Sequence, residues 1–326
     1  MNTPLYPLCF VPNYHYRIWG GDKLQKILKK KTSQNQVGES WELSAVENSE
    51  TEVAEGELKG HLLSEILVAY KEALVGGKVW NQFGASFPLL FKFIDAQKPL
   101  SVQVHPDDEW AQKHYNSFGK NEMWHILHAD EGAELILGFK KEISADNIKK
   151  QIKSGTLEDS LQRVPAKSGE SFYIPTGLVH AIGAGVLLAE IQQTSDITYR
   201  IYDYNRIDAK TGAPRDLHIE KALAVADRTP TMQAAIRHNK KKNTSNKIVD
   251  SLYFTTNYLP VEGTIEKDYQ DLDSFVVLIG IEGSSELIYQ NKNHTLYKGG
   301  LLLLPASLDR IQIKTEKATL LEVYIP

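Results

Sequence analysis

The stretch Pro99-Leu100-Ser101-Val102-Gln103-Val104-His105-Pro106-Asp107 sets the reading of the whole chain. Leu100, Val102 and Val104 alternate with Ser101, Gln103 and His105, which is the period of a β-strand. Pro99 and Pro106 bound the run, where a strand tolerates them. Gln103 and His105 therefore leave one face, roughly 7 Å apart at their Cα atoms. Polar side chains that point inward from a strand need partners or a ligand. A hydrogen-bonded pair inside a barrel meets that need. So does a metal ion, on which a Gln oxygen and a His nitrogen at i and i+2 can converge.

Two later segments favour the metal. Glu122 lies in the strand-like run Gly119-Lys120-Asn121-Glu122-Met123-Trp124-His125-Ile126-Leu127. His180 closes Gly169-Glu170-Ser171-Phe172-Tyr173-Ile174-Pro175-Thr176-Gly177-Leu178-Val179-His180, a strand, a Pro/Gly turn and the start of a return strand. A Gln-x-His pair, a Glu and a distant His together read as a β-barrel metal site of the cupin kind. His125 is three residues from Glu122, so it faces away from that site and reads as structural.

Bulk properties narrow the function class. A chain of 326 residues can bury a large core in one or two domains, and 42% hydrophobic with 24% charged residues is a globular composition. The net charge of −4 argues against nucleic acid as a partner, so an anionic substrate needs a local basic cluster. Cys9 is the only cysteine, which excludes an intrachain disulfide and suits a reducing compartment. Met1 to Gly21 lacks a basic segment followed by an apolar one, and no apolar run approaches a membrane span. The expectation is a cytoplasmic protein without membrane or nucleic-acid partners.

Around the central strand the pattern is mainly β with inserted helices. Strands are expected at Gln36–Val46, Phe87–Asp95, 133–139, from Ser171, Val186–Gln193 and Thr198–Tyr202. Helices are expected after Asp22 to Lys31, over residues 61–75, after Pro106 to about Gly119, from Ser144 to about Gly155, over Leu157–Val164 and over Asp216–Ala226. Residues 231–247 carry Arg237-His238-Asn239-Lys240-Lys241-Lys242-Asn243 and read as a basic linker or solvated loop. Beyond them every segment reads as a short strand. The expected division is residues 1–230, a metal-binding catalytic domain with small helical insertions, then the linker, then a β-domain at 248–326.

The C-terminal part also carries a repeat. Gly169–His180 aligns without gaps on Gly299-Gly300-Leu301-Leu302-Leu303-Leu304-Pro305-Ala306-Ser307-Leu308-Asp309-Arg310. Where the first copy ends in His180, the second ends in Arg310, which cannot coordinate a metal. Residues 248–326 are thus expected to form a second cupin-like β-domain without metal.

Leu100-Ser101-Val102-Gln103-Val104-His105-Pro106-Asp107, Lys120-x-Glu122, Tyr173-Ile174-Pro175-x-Gly177-x-x-His180-Ala181 and Ser195-Asp196-x-Thr198-Tyr199-Arg200 occur in that order. Together they resemble the type I mannose-6-phosphate isomerases, and within them the short bacterial form. The resemblance implies a cupin jelly-roll fold, one zinc ion per chain, and interconversion of mannose 6-phosphate and fructose 6-phosphate by a monomer or homodimer. By position, Gln103, His105, Glu122 and His180 match the family's zinc ligands. Arg200 matches its active-site arginine, and Lys98, Lys120 and Glu190 match residues proposed for substrate binding or proton transfer. The segment 142–165 is much smaller than the helical domain of the long forms.

The residue types suit that chemistry. Three neutral ligands and one carboxylate leave a divalent ion with a formal charge of about +1, so it stays electrophilic. Mixed N/O ligation with room for water belongs to catalytic rather than Cys-rich structural sites. Isomerisation moves a proton between C2 and C1 through an enediol(ate), with Glu190 or one of Lys98 and Lys120 as base. Arg200 either faces substrate or pairs with a carboxylate such as Asp196 or Asp203. Two alternatives stand beside the isomerase: another metal-dependent cupin enzyme, or a non-catalytic metal- or sugar-binding cupin.

Overall fold

The structure, a computed structural model, describes residues 3–230 and 234–326; the first three residues of the expected linker, 231–233, lie outside the described residues. The protein is mainly β, as the alternation of its apolar residues requires, and its ladders are antiparallel. A first sheet orders the strands Ser171–Ile174, Glu122–Ala129, Val186–Gln193, Leu89–Ala96, Asn13–Gly21 and Val37–Leu43. A second orders Tyr199–Tyr202, Val102–Val104, His180–Ile182, Glu134–Phe139 and Leu161–Pro165. The two face each other across a core that includes Ile94, Trp124, Phe172 and Leu188 from the first and Leu135, Leu137 and Ile182 from the second. No helix among the described residues is long and apolar enough to cross a membrane.

The third sheet holds Asn246–Asp250, Thr255–Asp268, Arg310–Tyr324, Val276–Tyr289 and Lys292–Tyr297, with Leu301–Leu304 paired to Val276–Tyr289. Its strands are apolar at successive positions because both faces are buried. Val277, Ile279, Leu303, Leu321 and Val323 pack toward Phe91, Phe93, Ala189 and Ile191, on the far side of the first sheet. Their neighbours Val276, Leu278, Leu302, Leu304 and Leu320 turn inward to a core of their own. The described part of the basic segment is not simply a solvated loop. Ile236 N donates to Ser171 O at 2.8 Å, so the chain runs along the edge of the first sheet, and its last residues enter the strand Asn246–Asp250.

Local capping signals govern some helix ends, and tertiary contacts govern others. Asp107 caps Asp108–Tyr115 by accepting from Trp110 N at 2.8 Å, and Ser144 caps Ala145–Ser154 by accepting from Asn147 N at 3.2 Å. After Asp22 only Lys23–Lys26 is helical, and the carboxylate that meets its N-terminus is Asp95, accepting from Lys23 N at 2.6 Å. The helix expected over 61–75 breaks at Lys71, which takes φ +48°, into Leu63–Tyr70 and Glu72–Val75.

Leu157–Val164 is not a helix. One 3-10 turn, Leu157–Ser160, leads into the edge strand Leu161–Pro165, whose Pro165 ends a ladder with Glu134–Phe139. The helix expected from Asp216 begins only at Ile219. Just before it, His218 N donates to Arg200 O at 2.7 Å, and Arg200 N donates to His218 Nδ1 at 3.2 Å. That exchange draws the chain onto the strand Tyr199–Tyr202 and delays the helix by about one turn.

Candidate metal centre and active site

Register brings the polar pair of the central strand to its partners. His180 and Arg200 are both cross-strand partners of Gln103, one on each side of Val102–Val104. Glu122 starts the strand that pairs with Ser171–Ile174, and it shares an inward face with Trp124, while His125 turns outward to Ser171 Oγ at 2.8 Å. Atoms of His105, Glu122 and His180 thereby gather within 4.8 Å of one another, with side chains only 1% exposed. His105 Nε2 lies 3.3 Å from Glu122 Oε1, and His180 Nε2 lies 3.8 Å from Glu122 Oε2. Gln103 Nε2 is 3.4 Å from His180 Nε2.

The backbone sets the imidazole tautomers. His105 Nδ1 donates to Ile197 O at 2.9 Å and His180 Nδ1 donates to Leu178 O at 2.8 Å, so each Nε2 presents a lone pair to the centre. Burial, together with the Lys120 charge, drives His105 down to about 3, and burial lowers His180 too, so both rings are neutral at physiological pH. Burial alone would raise the Glu122 carboxyl. The Lys120 charge, 2.8 Å from Oε1, outweighs it and holds Glu122 ionised. Although Lys120 stands beside it as an ion pair, neither Glu122 oxygen completes a directed hydrogen bond.

These features fit a divalent cation. Two imidazole lone pairs and a buried carboxylate with unfilled acceptor positions converge on one point. A half-turn of the Gln103 amide brings its oxygen there as well. The donor set is mixed N and O without thiolate, as in open catalytic sites.

The centre opens into a cavity of about 520 Å³ between the first two sheets. Glu190 sits on its wall, opposite Lys92 on one neighbouring strand and Trp124 on the other. Its Oε2 accepts from Trp124 Nε1 at 3.0 Å, and its Oε1 stands 3.2 Å from Lys92 Nζ without a directed hydrogen bond. Burial, then the Glu122 charge, raises the Glu190 carboxyl against the pull of Lys92 and Lys120. Lys120, buried beside Glu122, keeps its proton: burial works against the ammonium, but Glu122 and Glu190 overcome it.

Lys98 is the exception among the expected site residues. It is exposed in the turn between Leu89–Ala96 and Val102–Val104, with its N–H bonded to Trp19 O at 3.1 Å, and it does not line the cavity. Lys92 stands inside instead, 7% exposed, donating to Gln192 Oε1 at 2.7 Å and lying 4.9 Å from the Trp41 ring centroid. The signal for it was a lysine inside the apolar run Phe87–Asp95, on the face shared with Ile94, where an unpaired cation is costly. Glu39 is a second wall residue that spacing did not reveal. Burial would raise its carboxyl, but Arg17 at 2.9 Å and Lys92 hold it well below the usual range, and Trp41 Nε1 donates to it at 2.7 Å. Trp41 lines the cavity, whereas Tyr173 lies off it and donates to Asn121 Oδ1 at 3.2 Å.

Arg200 reaches the cavity without a carboxylate partner among the described residues. Its Nε donates to Ser101 Oγ at 3.2 Å and its Nη1 to Asp216 O at 2.8 Å. Asp203, one of the partners considered for it, is held by Arg206 and Arg215 instead.

Comparison with known proteins points one way. The model of the phosphomannose isomerase type I catalytic domain matches residues 8–132. The mannose-6-phosphate isomerase of Streptococcus mutans is 34% identical over 308 residues, 93% of each chain. The mannose-6-phosphate isomerase ManA of Bacillus subtilis is 35% identical over 313 residues, covering 94% of this chain and 96% of that one. The crystal structure of a mannose 6-phosphate isomerase from Bacillus subtilis superposes with a TM-score of 0.88 at 34% identity, over 98% of this chain and 99% of that one.

Proposed function

The chain belongs to the type I phosphomannose isomerases, a metal-dependent family with a cupin fold, and we propose that it interconverts mannose 6-phosphate and fructose 6-phosphate in the cavity between its first two sheets. The observation that carries the mechanism is that Gln103 and Lys120, which touch the His105, Glu122 and His180 centre, also line the cavity that Glu190 and Arg200 line. Gln103, His105, Glu122 and His180 would hold a zinc ion, one per chain. When bound it supplies a Lewis acid for the negative charge that develops on the sugar oxygens at C1 and C2.

Glu190 is the base. Its carboxyl is raised by burial, which suits proton transfer, and Oε1 has acceptor capacity to use. It takes the proton from C2 of the aldose and returns it to C1, while the hydroxyl proton passes from O2 to O1, so two protons shift within the sugar and no atom is gained or lost. Trp124 Nε1 fixes Oε2, and Lys92 keeps the carboxyl from rising further. Lys120 is held as an ammonium, so it serves as a proton or hydrogen-bond donor to a sugar oxygen rather than as the base. Arg200, beside the Gln103 strand, places a guanidinium where the enediolate charge grows.

The proposed division of labour is a catalytic domain at 1–230, a connecting segment at 231–247 and a metal-free β-domain at 248–326. The proposed setting is the cytoplasm, as a monomer or homodimer without nucleic-acid partners. A coupled assay tests the activity. Zinc-loaded protein is expected to release fructose 6-phosphate from mannose 6-phosphate and to leave glucose 6-phosphate unreacted. Chelation abolishes turnover and zinc restores it. Folded, metal-loaded protein that forms no fructose 6-phosphate overturns the proposal.

A further inference from the structure

Beyond the reacting centre the cavity runs out to the loop of residues 204–216, which is closed by a bridge between Ile207 and Pro214. At its base lies Asp203, 5% exposed, with two guanidinium groups on one carboxylate. Arg215 binds it side-on, Nε to Oδ2 at 2.8 Å and Nη2 to Oδ1 at 2.5 Å. Arg206 Nη2 also donates to Oδ1, and its Nη1 donates to Pro99 O at 2.5 Å.

The two arginines differ in what is left over. Arg206 is tied to the loop and to the Pro99 turn, and it does not line the cavity. Arg215 lines it, and among the described residues its Nη1 makes no hydrogen bond. Arg200 lines the same region, and its Nη2 is likewise without a partner there. The two guanidiniums are close enough that the Arg215 charge, after burial, works against that of Arg200. Asp196 and Asp208 also line the rim, yet among the described residues neither forms an ion pair with Arg200 or Arg215. Arg200 and Arg215 thus each offer a guanidinium nitrogen to this end of the cavity, while the Asp203 carboxylate is already taken.

We propose that Arg215 is the phosphate-binding cation of this site and that Asp203 is its positioning residue. The inference rests on the isomerase reading, in which the substrate carries a phosphate four carbons from C2. A phosphate dianion takes the planar guanidinium edge in charge-assisted hydrogen bonds. Gripping the other edge of Arg215 fixes its rotamer before substrate arrives, so less ordering is required on binding. Arg200, on the strand beside Gln103, is left to the charge at the reacting carbons.

Steady-state kinetics on the zinc-loaded enzyme, with inorganic phosphate as competitive inhibitor, test this. Arg215→Ala is expected to raise KM for mannose 6-phosphate and Ki for phosphate by about tenfold or more, with kcat changed by less than about threefold and metal content unchanged. Arg215→Lys recovers only part of the loss, because an ammonium cannot bridge Asp203 and phosphate with one rigid plane. Asp203→Asn shows the same split between KM and kcat at smaller size. Arg206→Ala lowers the melting temperature and leaves Ki for phosphate within about twofold. Unchanged KM and Ki in folded Arg215→Ala, or a fall in kcat alone, overturns the assignment. If the parent enzyme forms no fructose 6-phosphate, the isomerase reading fails separately. Calorimetric titration of inorganic phosphate into the parent and Arg215→Ala proteins then decides the anion site: weaker binding to the variant supports it, and equal binding refutes it.

Discussion

Residues 169–180 and 299–310 follow one backbone plan at a constant offset in sequence. Gly169 and Gly299 take φ +85° and +83°, values that a glycine adopts without strain. The strands Ser171–Ile174 and Leu301–Leu304 follow, and then turns in which Leu178 N donates to Pro175 O at 3.2 Å and Leu308 N to Pro305 O at 3.0 Å. Return strands begin at His180 and at Arg310. The side chains then part company. His180 is buried in a polar centre, whereas Arg310 is exposed and pairs with Asp268 at 2.9 Å. Between the first two sheets the inward positions include Lys92, Gln103, Glu122 and Glu190, while the third sheet's inner face carries Leu259, Leu278, Leu287, Leu302 and Leu320. Turn glycines, prolines and apolar alternation set the backbone. The few inward residues that break the apolar pattern set the chemistry.

The strongest way to break that contrast is to exchange the two ends of the plan for alanine. His180→Ala is expected to lose bound metal and at least about 10³-fold in kcat/KM. Arg310→Ala keeps both, and its stability stays within about 0.5 kcal/mol, because its ion pair is exposed. Metal analysis and turnover on the same preparations check the pair. Equal losses from the two variants would remove the distinction.

Arg200→Ala sharpens the polar side of the comparison. Its metal content stays at the parent level and kcat falls by about 10²-fold, since a charge that aids mainly the transition state is gone. A rise in KM without a fall in kcat would move Arg200 to ground-state binding.

Lys92→Met probes the wall of the same cavity. Lys92 opposes the rise of the Glu190 carboxyl, so removing it lets that carboxyl climb further. Glu190 acts deprotonated, so the acid limb of the kcat/KM profile moves to higher pH, and activity at pH 7 falls by about tenfold. A limb that stays in place, or moves to lower pH, contradicts the assignment of Glu190 as base.

In the apolar region the expected response is of another kind. Leu278 is fully buried in the inner core of the third sheet, so Leu278→Ala lowers unfolding stability by about 2–5 kcal/mol. The folded fraction keeps its metal and its kcat. Denaturant melts, paired with turnover of the folded protein, read both.

Much of the fold was legible because burial on one face imposes alternation, as at Leu100–His105, and because caps such as Asp107 and Ser144 act locally. What local pattern could not show was decided across strands. Leu161–Pro165 is a strand because Glu134–Phe139 offers it an edge. Asp216–His218 stays out of a helix because Arg200 takes its hydrogen bonds. The same holds in the cavity. Gln103, His105, Glu122 and His180 carry recognisable spacing, but Lys92 is defined by its register opposite Glu190, and Lys98 lies beyond the strand end, outside the cavity. Asp203 reads in sequence as a possible partner of Arg200. Only the folded loop shows that Arg215 and Arg206 take it first.

Anomalous diffraction at the zinc edge from crystals of the zinc-loaded protein tests the central contrast most directly. One peak per chain is predicted, within coordination distance of Gln103, His105, Glu122 and His180, with none near Arg310. A peak in the third sheet, or none among those four side chains in protein that turns over mannose 6-phosphate, would contradict it.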